Sequence, residues 1–153
     1  MASDAKLQAW FTFLQAHDAA IESLDAELRE RSGLTLSDYE VLLYLDHAPR
    51  SKLRMADLAE SVLLTASGTT RAVDRLERDG FVRRAPDPHD GRATLVSLTA
   101  AGRRRFRAAA PVHLEGVRAR FLDALTTREA ETLRAASVKV LAANGLEERM
   151  LSR

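Results

Sequence analysis

Apolar side chains recur at every third or fourth position over roughly the first thirty residues of the chain. The positions that share this spacing are Leu7, Trp10, Leu14, Ile21, Leu24 and Leu28. Acidic residues lie off this stripe, so the pattern predicts an amphipathic helix over residues 5–30, ended by Gly33. The apolar run at 39–45 predicts a second helix that stops before Pro49. Ser37 and Glu40 have the spacing of a capping box at its start.

The middle of the chain changes from helical spacing to the alternation typical of strands. Residues 55–62 and 66–79 predict two short helices, the second bounded by Thr65 as N-cap and Gly80 as C-cap. Residues 81–84 and 92–98 read as strands, and the strongest turn signal between them is Asp90-Gly91. A β-hairpin is therefore expected inside an otherwise helical protein.

Helical patterning returns after Thr99. Residues 100–124 predict a long helix that Pro111 should bend, because proline lacks the N–H that the helix needs. Thr126 and Glu129 form a capping box for a last helix at 127–143, which Asn144-Gly145 should end. The expected fold is mostly α with a small β-hairpin: four helices, two strands and two further helices.

Charge is distributed unevenly along the chain, although the net charge is only +1. Residues 1–50 carry four Lys/Arg against nine Asp/Glu, a balance of −5. Residues 65–107 carry ten Arg against five acidic residues, a balance of +5. The side chains that could meet a polyanion are thus concentrated in the segment with the predicted hairpin.

Several classes of function require residues that this chain lacks. The chain has no cysteine, which excludes disulfides, thiolate metal sites and a cysteine nucleophile. The four histidines are scattered, and we recognise no catalytic or cofactor motif, so we expect no metal, no cofactor and no enzyme activity. The chain has neither an apolar run of ~18–20 residues nor the features of a signal peptide, which predicts a cytoplasmic protein without membrane contact.

Two short helices followed directly by a hairpin are typical of a winged helix-turn-helix. The major groove of B-DNA is ~12 Å wide and admits one helix whose leading turns face the bases. Polar groups that could serve there lie early in the 66–79 helix, at Ser67, Thr69, Thr70 and Arg71. Arg71 could bind guanine, and Arg75, one turn later, could bind a phosphate. Alone, such a helix start favours ordinary capping with a solvated face.

The predicted hairpin shifts this interpretation toward DNA. Arg83 and Arg84 lie on its first strand and Arg92 at its return, where a basic loop could reach the negative potential of the minor groove. Asp90 is interpreted as a brace that fixes the wing by pairing with an arginine. The arginines at 103–107 are compatible with either a solvated face or further DNA backbone contacts.

Residues 54–102 carry the motifs D-L-A, T-R-x-V-D-R-L-E-x-x-G-x-V-x-R and D-x-R…V-x-L-T-x-x-G in order. This run, about a third of the chain, resembles the MarR family of multiple-antibiotic-resistance regulators, and the flanking helices match in order and length. The resemblance implies a ligand-responsive transcription regulator, expected to be a repressor, that binds a pseudo-palindromic operator on double-stranded DNA as a homodimer. It implies dimerisation helices at 1–32 and 100–153 around a DNA-binding lobe at 33–99.

Position matching with the family assigns Ser67, Thr69, Thr70 and Arg71 to the major groove and Arg92 to the minor groove. Gly68 departs from the pattern, since many members carry a side chain there, and glycine also lowers helix propensity by roughly 1 kcal/mol.

The resemblance also implies a ligand cleft between the dimerisation helices and the DNA-binding lobe. Aromatic and histidine side chains that would suit a small aromatic acid or phenol are Trp10, Phe13, His17, Tyr39, Tyr44 and His113. The same side chains at helical spacing also fit a plain core or a dimer interface.

Two other functions compete with DNA-dependent regulation. A helical protein–protein adaptor could use the winged-helix scaffold without DNA, and its function would then respond little to salt. A small enzyme would need a convergent acid–base or metal site, for which the sequence offers no residues.

Overall fold

The computed structural model describes residues 2–62 and 66–147 of the chain. Within these residues six α-helices accompany three short strands, so the fold is mostly helical with a small antiparallel sheet. The helices are α1 (Ala2–Ser32), α2 (Leu36–His47), α3 (Met55–Ser61), α4 (Ala66–Arg78), α5 (Ala100–Arg120) and α6 (Thr127–Ala143). The strands are β1 (Lys52–Arg54), β2 (Val82–Asp87) and β3 (Asp90–Leu98). Short 3-10 turns occupy Pro49–Ser51 and Leu122–Ala124.

The helix boundaries follow local capping chemistry. Gly33 ends α1 with a φ of 67°, a left-handed conformation that glycine adopts without a side-chain clash. The predicted Ser37–Glu40 capping box is wrong, because Thr35 is the N-cap of α2 and pairs with Asp38 instead. At the last helix the predicted Thr126–Glu129 box is present. Thr65, the predicted cap of α4, lies outside the described residues.

The sheet has the strand order β1-β3-β2, with both pairings antiparallel. Strand β1 was not expected from the sequence; its three residues pair with β3 from Lys52 opposite Ser97 to Arg54 opposite Leu95. The turn between β2 and β3 was expected at Asp90-Gly91, but both residues belong to β3. Residues 88–89 make the turn, and the Asp87 carboxylate accepts a hydrogen bond from the His89 N–H at 2.9 Å.

One apolar core joins α2, α3, α4, the sheet and the first half of α5. Its fully buried members come from every one of these elements and include Leu42, Leu58, Val73, Val96 and Ala109. Burial of a leucine or valine side chain stabilises a fold by roughly 1.5–3 kcal/mol. The core therefore holds α4 and the hairpin in one body.

Strand β3 passes into α5 through a tight joint. The Thr99 hydroxyl oxygen lies 2.8 Å from the Gly80 carbonyl oxygen and 3.0 Å from that of Phe81, which share its one hydrogen, and it accepts from the Gly102 N–H at 3.0 Å. A Cβ added at Gly102 would overlap the Phe81 carbonyl oxygen and lie 2.8 Å from Leu98 Cδ1. Glycine is therefore needed where α5 passes the base of the hairpin.

The chain divides into two compact units. The central unit comprises residues 25–113, and the terminal unit comprises residues 1–24 and 114–153. The helices α1 and α5 each contribute residues to both units.

Candidate nucleic-acid interface

Helix α4 has one buried and one exposed face. Ala72, Val73 and Leu76 are almost completely buried, as their apolar spacing predicts. Thr69 lies on the same stripe, three residues before Ala72, and is 0% exposed. The base contact of Thr69 stays a prediction, and in this structure its side chain is buried.

Ser67, Thr70 and Arg71 are exposed in the leading turns of α4. The Arg71 Nε donates to the Ser67 carbonyl oxygen at 3.3 Å, which directs the guanidinium toward the N-terminal end of the helix. Gly68, the position without a side chain, is half-buried beside them. These three side chains form one polar surface at the start of the helix.

Arg75 was expected to bind a phosphate, but its guanidinium contacts α2. Its Nη2 lies 2.9 Å from Asp38 Oδ1, and its Nε donates to the same oxygen at 3.2 Å. Nη2 is also 3.4 Å from the Thr35 hydroxyl. Asp38 itself is buried, with 6% of its surface exposed.

Arg84 also has intramolecular partners. Its guanidinium lies 2.7 Å from Asp74 and 2.8 Å from Glu77, both on α4. The Arg84 backbone N–H, followed by its guanidinium, lowers the pKa of Glu77 below the ordinary value. Arg84 therefore joins β2 to α4, and its charge is compensated by two carboxylates.

The other two arginines of the β2–β3 hairpin are exposed. Arg83 and Arg92 are exposed on β2 and β3. Asp90 Oδ1 accepts a hydrogen bond from the Arg92 backbone N–H at 3.2 Å, and Asp90 Oδ2 lies 3.9 Å from Arg54 Nη1. The predicted brace thus pairs with Arg54 of β1.

Asp87 and Arg54 form an ion pair that was not anticipated. The Arg54 Nη2 lies 2.7 Å from Asp87 Oδ2, and only 6% of the Asp87 surface is exposed. The His89 N–H, and then the Arg54 charge, hold the pKa of Asp87 below its usual range despite an opposing effect of burial. The one feature of the sequence that indicates a structural role for Asp87 is its position two residues before His89 in the turn, because aspartate often accepts a hydrogen bond from the backbone two residues further on.

Two arginines at the start of α5 contact neighbouring elements. Arg103 pairs with Asp46 at 3.3 Å and donates to the Ser51 hydroxyl. Arg105 donates to the Ser32 carbonyl oxygen, and its guanidinium carbon lies 5.9 Å from the Phe81 ring centroid. Arg104 and Arg107 are exposed.

Among the candidate ligand residues, Tyr39 and His113 lie together in the central unit. Their ring centroids are 4.3 Å apart, and Phe106 lies 5.4 Å from Tyr39. Burial raises the pKa of Tyr39 to about 12 and lowers the pKa of His113. Within the described residues, His113 Nδ1 is buried without a hydrogen-bond partner. Tyr44 is half-buried on α2.

The remaining candidate ligand residues belong to the terminal unit. Phe13 has its ring centroid 6.5 Å from that of Trp10 and 6.4 Å from that of His17, so the three rings follow one another along α1. All three residues are exposed, and His17 Nδ1 lies 3.0 Å from Asp18. No metal-ligating cluster occurs in the part of the chain that the structure describes. No described helix is both long and apolar enough to cross a membrane.

Comparison with curated proteins returns transcriptional regulators. The chain is 34% identical over 74 residues to the uncharacterized HTH-type transcriptional regulator YfiV of Bacillus subtilis, covering 48% of this chain and 45% of YfiV. It is 31% identical over 106 residues to the transcriptional activatory protein BadR of Rhodopseudomonas palustris, covering 67% of this chain and 61% of BadR. The chain thus matches about half of the length of these relatives.

A solved structure extends the similarity over nearly the whole chain. It is that of Sco3205, a MarR family transcriptional regulator from Streptomyces coelicolor, in complex with DNA. The identity is 32% and the TM-score 0.84, covering 95% of this chain and 89% of Sco3205. A model of the MarR family matches residues 32–93, which contain α2, α3, α4, β1, β2 and the start of β3. The chain therefore belongs to the MarR family of transcriptional regulators.

Proposed function

We propose that this protein binds a pseudo-palindromic operator on double-stranded DNA as a homodimer and acts as a ligand-responsive repressor. The observation that carries the proposal is the juxtaposition of one polar helix start with one basic hairpin. Ser67, Thr70 and Arg71 are exposed at the start of α4, while Arg83 and Arg92 are exposed on the adjoining strands. The solved structure of Sco3205 in complex with DNA supports DNA binding.

Groove geometry assigns different tasks to the two parts of this surface. The start of α4 presents a guanidinium and two hydroxyl groups, which suit base edges in the major groove. Arg92, near the tip of the hairpin, suits the minor groove, where negative potential attracts arginine. Arg75 and Arg84 are left out of this assignment because carboxylates compensate their charges.

The proposal is tested with DNA from the intergenic region upstream of the protein's own gene. Fluorescence anisotropy at several salt concentrations gives the affinity for this DNA and for a scrambled fragment. We expect preference for the upstream DNA and a steep salt dependence. Arg92→Ala should weaken binding and reduce the salt slope, whereas Arg128→Ala, on exposed α6, should leave both unchanged. Salt-independent function without DNA affinity would favour a protein–protein adaptor.

The dimer is proposed from the surface of the terminal unit. Of the described residues, every large hydrophobic side chain that is exposed belongs to this unit, including Trp10, Phe11, Leu114 and Val140. A concentration of exposed apolar side chains in one unit favours a protein interface there. We assign dimerisation to the helices at 1–32 and 100–153 and DNA binding to residues 33–99.

The effector is proposed to be a small aromatic acid or phenol. Tyr39, Tyr44 and His113 of the central unit, and Trp10, Phe13 and His17 of the terminal unit, are the side chains assigned to it. A millimolar aromatic carboxylate such as salicylate should raise the melting temperature and weaken DNA binding. His113→Ala should blunt both responses while DNA binding persists. A reporter gene that fell silent without the protein would replace repression by activation, the direction in BadR's name. An effector that strengthened operator binding would instead act as a co-repressor.

A further inference from the structure

The first turn of α2 holds the middle of α4 through an ion pair whose carboxylate is buried. The Asp38 side chain is 8% exposed, and its Oδ1 accepts two hydrogen bonds from Arg75, at 2.9 and 3.2 Å. Its Oδ2 accepts the backbone N–H of Thr35 at 3.1 Å. Both carboxylate oxygens are therefore engaged, one by the helix cap and the other by α4.

Thr35 takes part in the same contact. Its hydroxyl accepts the backbone N–H of Asp38 at 3.0 Å and lies 3.4 Å from Arg75 Nη2. The capping box that starts α2 thus also receives the guanidinium. A planar guanidinium that meets two acceptors is fixed in direction as well as distance, which a lysine could not reproduce.

The same turn is anchored on its other side to α1. Asp25 Oδ1 accepts the backbone N–H of Leu36 at 2.8 Å, and Asp25 Oδ2 lies 2.6 Å from Arg29 Nε. All of these residues belong to the central unit. The receptor for Arg75 is therefore held in place by contacts with α1 and by its own helix cap, independently of α4.

We infer that Arg75 is a positioning residue that sets the orientation of α4, and that Asp38 and Thr35 are its receptor. This inference rests on the proposed function of α4 as the DNA-reading helix. Successive residues of an α-helix are 100° apart about its axis, so a small rotation displaces every side chain at the start of α4. Arg75 lies one turn after Arg71, close enough to control the direction in which the start of the helix faces.

A phosphate contact and a positioning contact have different salt signatures. The logarithm of the affinity falls as the logarithm of the salt concentration rises, and each phosphate neutralised by a cationic side chain makes this slope steeper by about 0.9. A residue that acts through the orientation of α4 changes preference for the operator and leaves this slope unaltered. The charge of Arg75 is already compensated by Asp38, which favours the second behaviour.

The test is a double-mutant cycle with Asp38→Asn and Arg75→Gln, measured by anisotropy on operator and scrambled DNA over a salt series. Asparagine at 38 retains an oxygen for the helix cap but loses the charge. We expect each single variant to lower operator affinity roughly 5- to 150-fold, the range typical of conformational coupling. Affinity for scrambled DNA and the salt slope should stay as in the wild type, and the double variant should be no worse than either single one.

Two further variants sharpen the comparison. Arg75→Lys keeps the charge but cannot bridge Asp38 and Thr35, so we expect it to lose operator preference as Arg75→Gln does. The Arg75 side chain is 39% exposed, so Arg75→Lys should fold even if Asp38→Asn does not. Circular dichroism checks the folding of both variants. Arg78→Gln removes the same charge from an exposed position three residues further along α4. This variant should keep operator preference.

The opposite results would overturn the inference and leave the proposed function standing. They are an Arg75→Lys variant with wild-type affinity, or an Arg75→Gln variant that loses about one unit of salt slope on both DNAs. Full operator preference in Asp38→Asn would have the same meaning. A wild-type chain that binds no DNA would instead overturn the proposed function, and the inference with it.

Discussion

Arginine side chains of the central segment have two kinds of surroundings. Arg71, Arg83 and Arg92 are exposed, whereas Arg75 and Arg84 are held by carboxylates from other elements. Local sequence does not distinguish the two groups, because the partner of Arg75 lies 37 residues earlier. The concentration of positive charge could be predicted from the sequence, but not the individual charges that are available to DNA.

Removal of the Arg71 guanidinium should change which DNA sequence is preferred. Arg71→Ala is expected to lose ~1–3 kcal/mol of discrimination at one base pair in each half-site, because a bidentate contact to guanine would be lost. Competition binding against every single-base variant of the operator measures this. A uniform weakening for all sequences would instead identify Arg71 as a phosphate contact.

The half-buried ring of His113 should make stability depend on pH. Burial lowers its pKa in the folded chain, so the neutral form is favoured there. The stabilisation is complete above the unfolded-state pKa, about 6.5, and is lost as the pH falls toward the folded pKa. Urea unfolding gives the free energy of unfolding at each pH between 8 and 5. On acidification this free energy should fall less in His113→Phe than in the wild type. The matched variant His89→Phe, at the exposed hairpin turn, should behave as the wild type.

At the scale of elements, regular periodicity was the most informative signal. The last helix was predicted at 127–143 and is found at Thr127–Ala143, because its cap and its stop are both encoded locally. Strand β1 could not be predicted in this way, since its three residues form a strand only by pairing with Ser97, Val96 and Leu95. Pairing across more than forty residues leaves no local pattern.

The ion pair between β1 and the end of β2 should keep the hairpin ordered. Asp87→Asn removes the charge that faces Arg54, so we expect faster hydrogen exchange at the amides of β2 and β3 near the turn. Asp79→Asn, on an exposed position after α4, serves as the control. Because the pKa of Asp87 is lowered in the folded chain, its contribution is present above the ordinary aspartate range and is lost in stronger acid. Unchanged exchange in Asp87→Asn would show that the sheet alone orders the hairpin.

At the scale of the whole molecule, the two compact units differ in the completeness of their cores. The described large apolar residues of the central unit are buried or half-buried, while the terminal unit leaves side chains such as Phe11, Leu114 and Val140 exposed. The amphipathic stripe along α1 could be predicted from the sequence. Its division between buried Leu24 and Leu28 and exposed Leu7 and Trp10 could not, because it depends on the packing partners.

Charge placed on the exposed apolar surface should dissociate the proposed dimer. Val140→Glu alters a side chain that is 59% exposed in the single chain, so it should not disturb a protomer's own core. We expect sedimentation to show a wild-type dimer at micromolar concentration and a smaller species for the variant. Lys139→Gln, at the neighbouring exposed position, lowers the net charge by one as Val140→Glu does and so controls for charge alone. A folded wild-type monomer would contradict the proposed assembly.

The close passage of α5 over the hairpin base has a consequence for genetics. Since no side chain fits between Gly102 and the Phe81 carbonyl without displacement, Gly102→Ala forces the joint apart at every temperature. The surrounding core can absorb part of this strain when the fold is most stable and less of it as stability declines on warming. Gly102→Ala should therefore behave as a temperature-sensitive allele, with a reporter gene under control at low temperature and released at high temperature. Such an allele would allow the regulated genes to be identified by a temperature shift in living cells, without knowledge of any inducer.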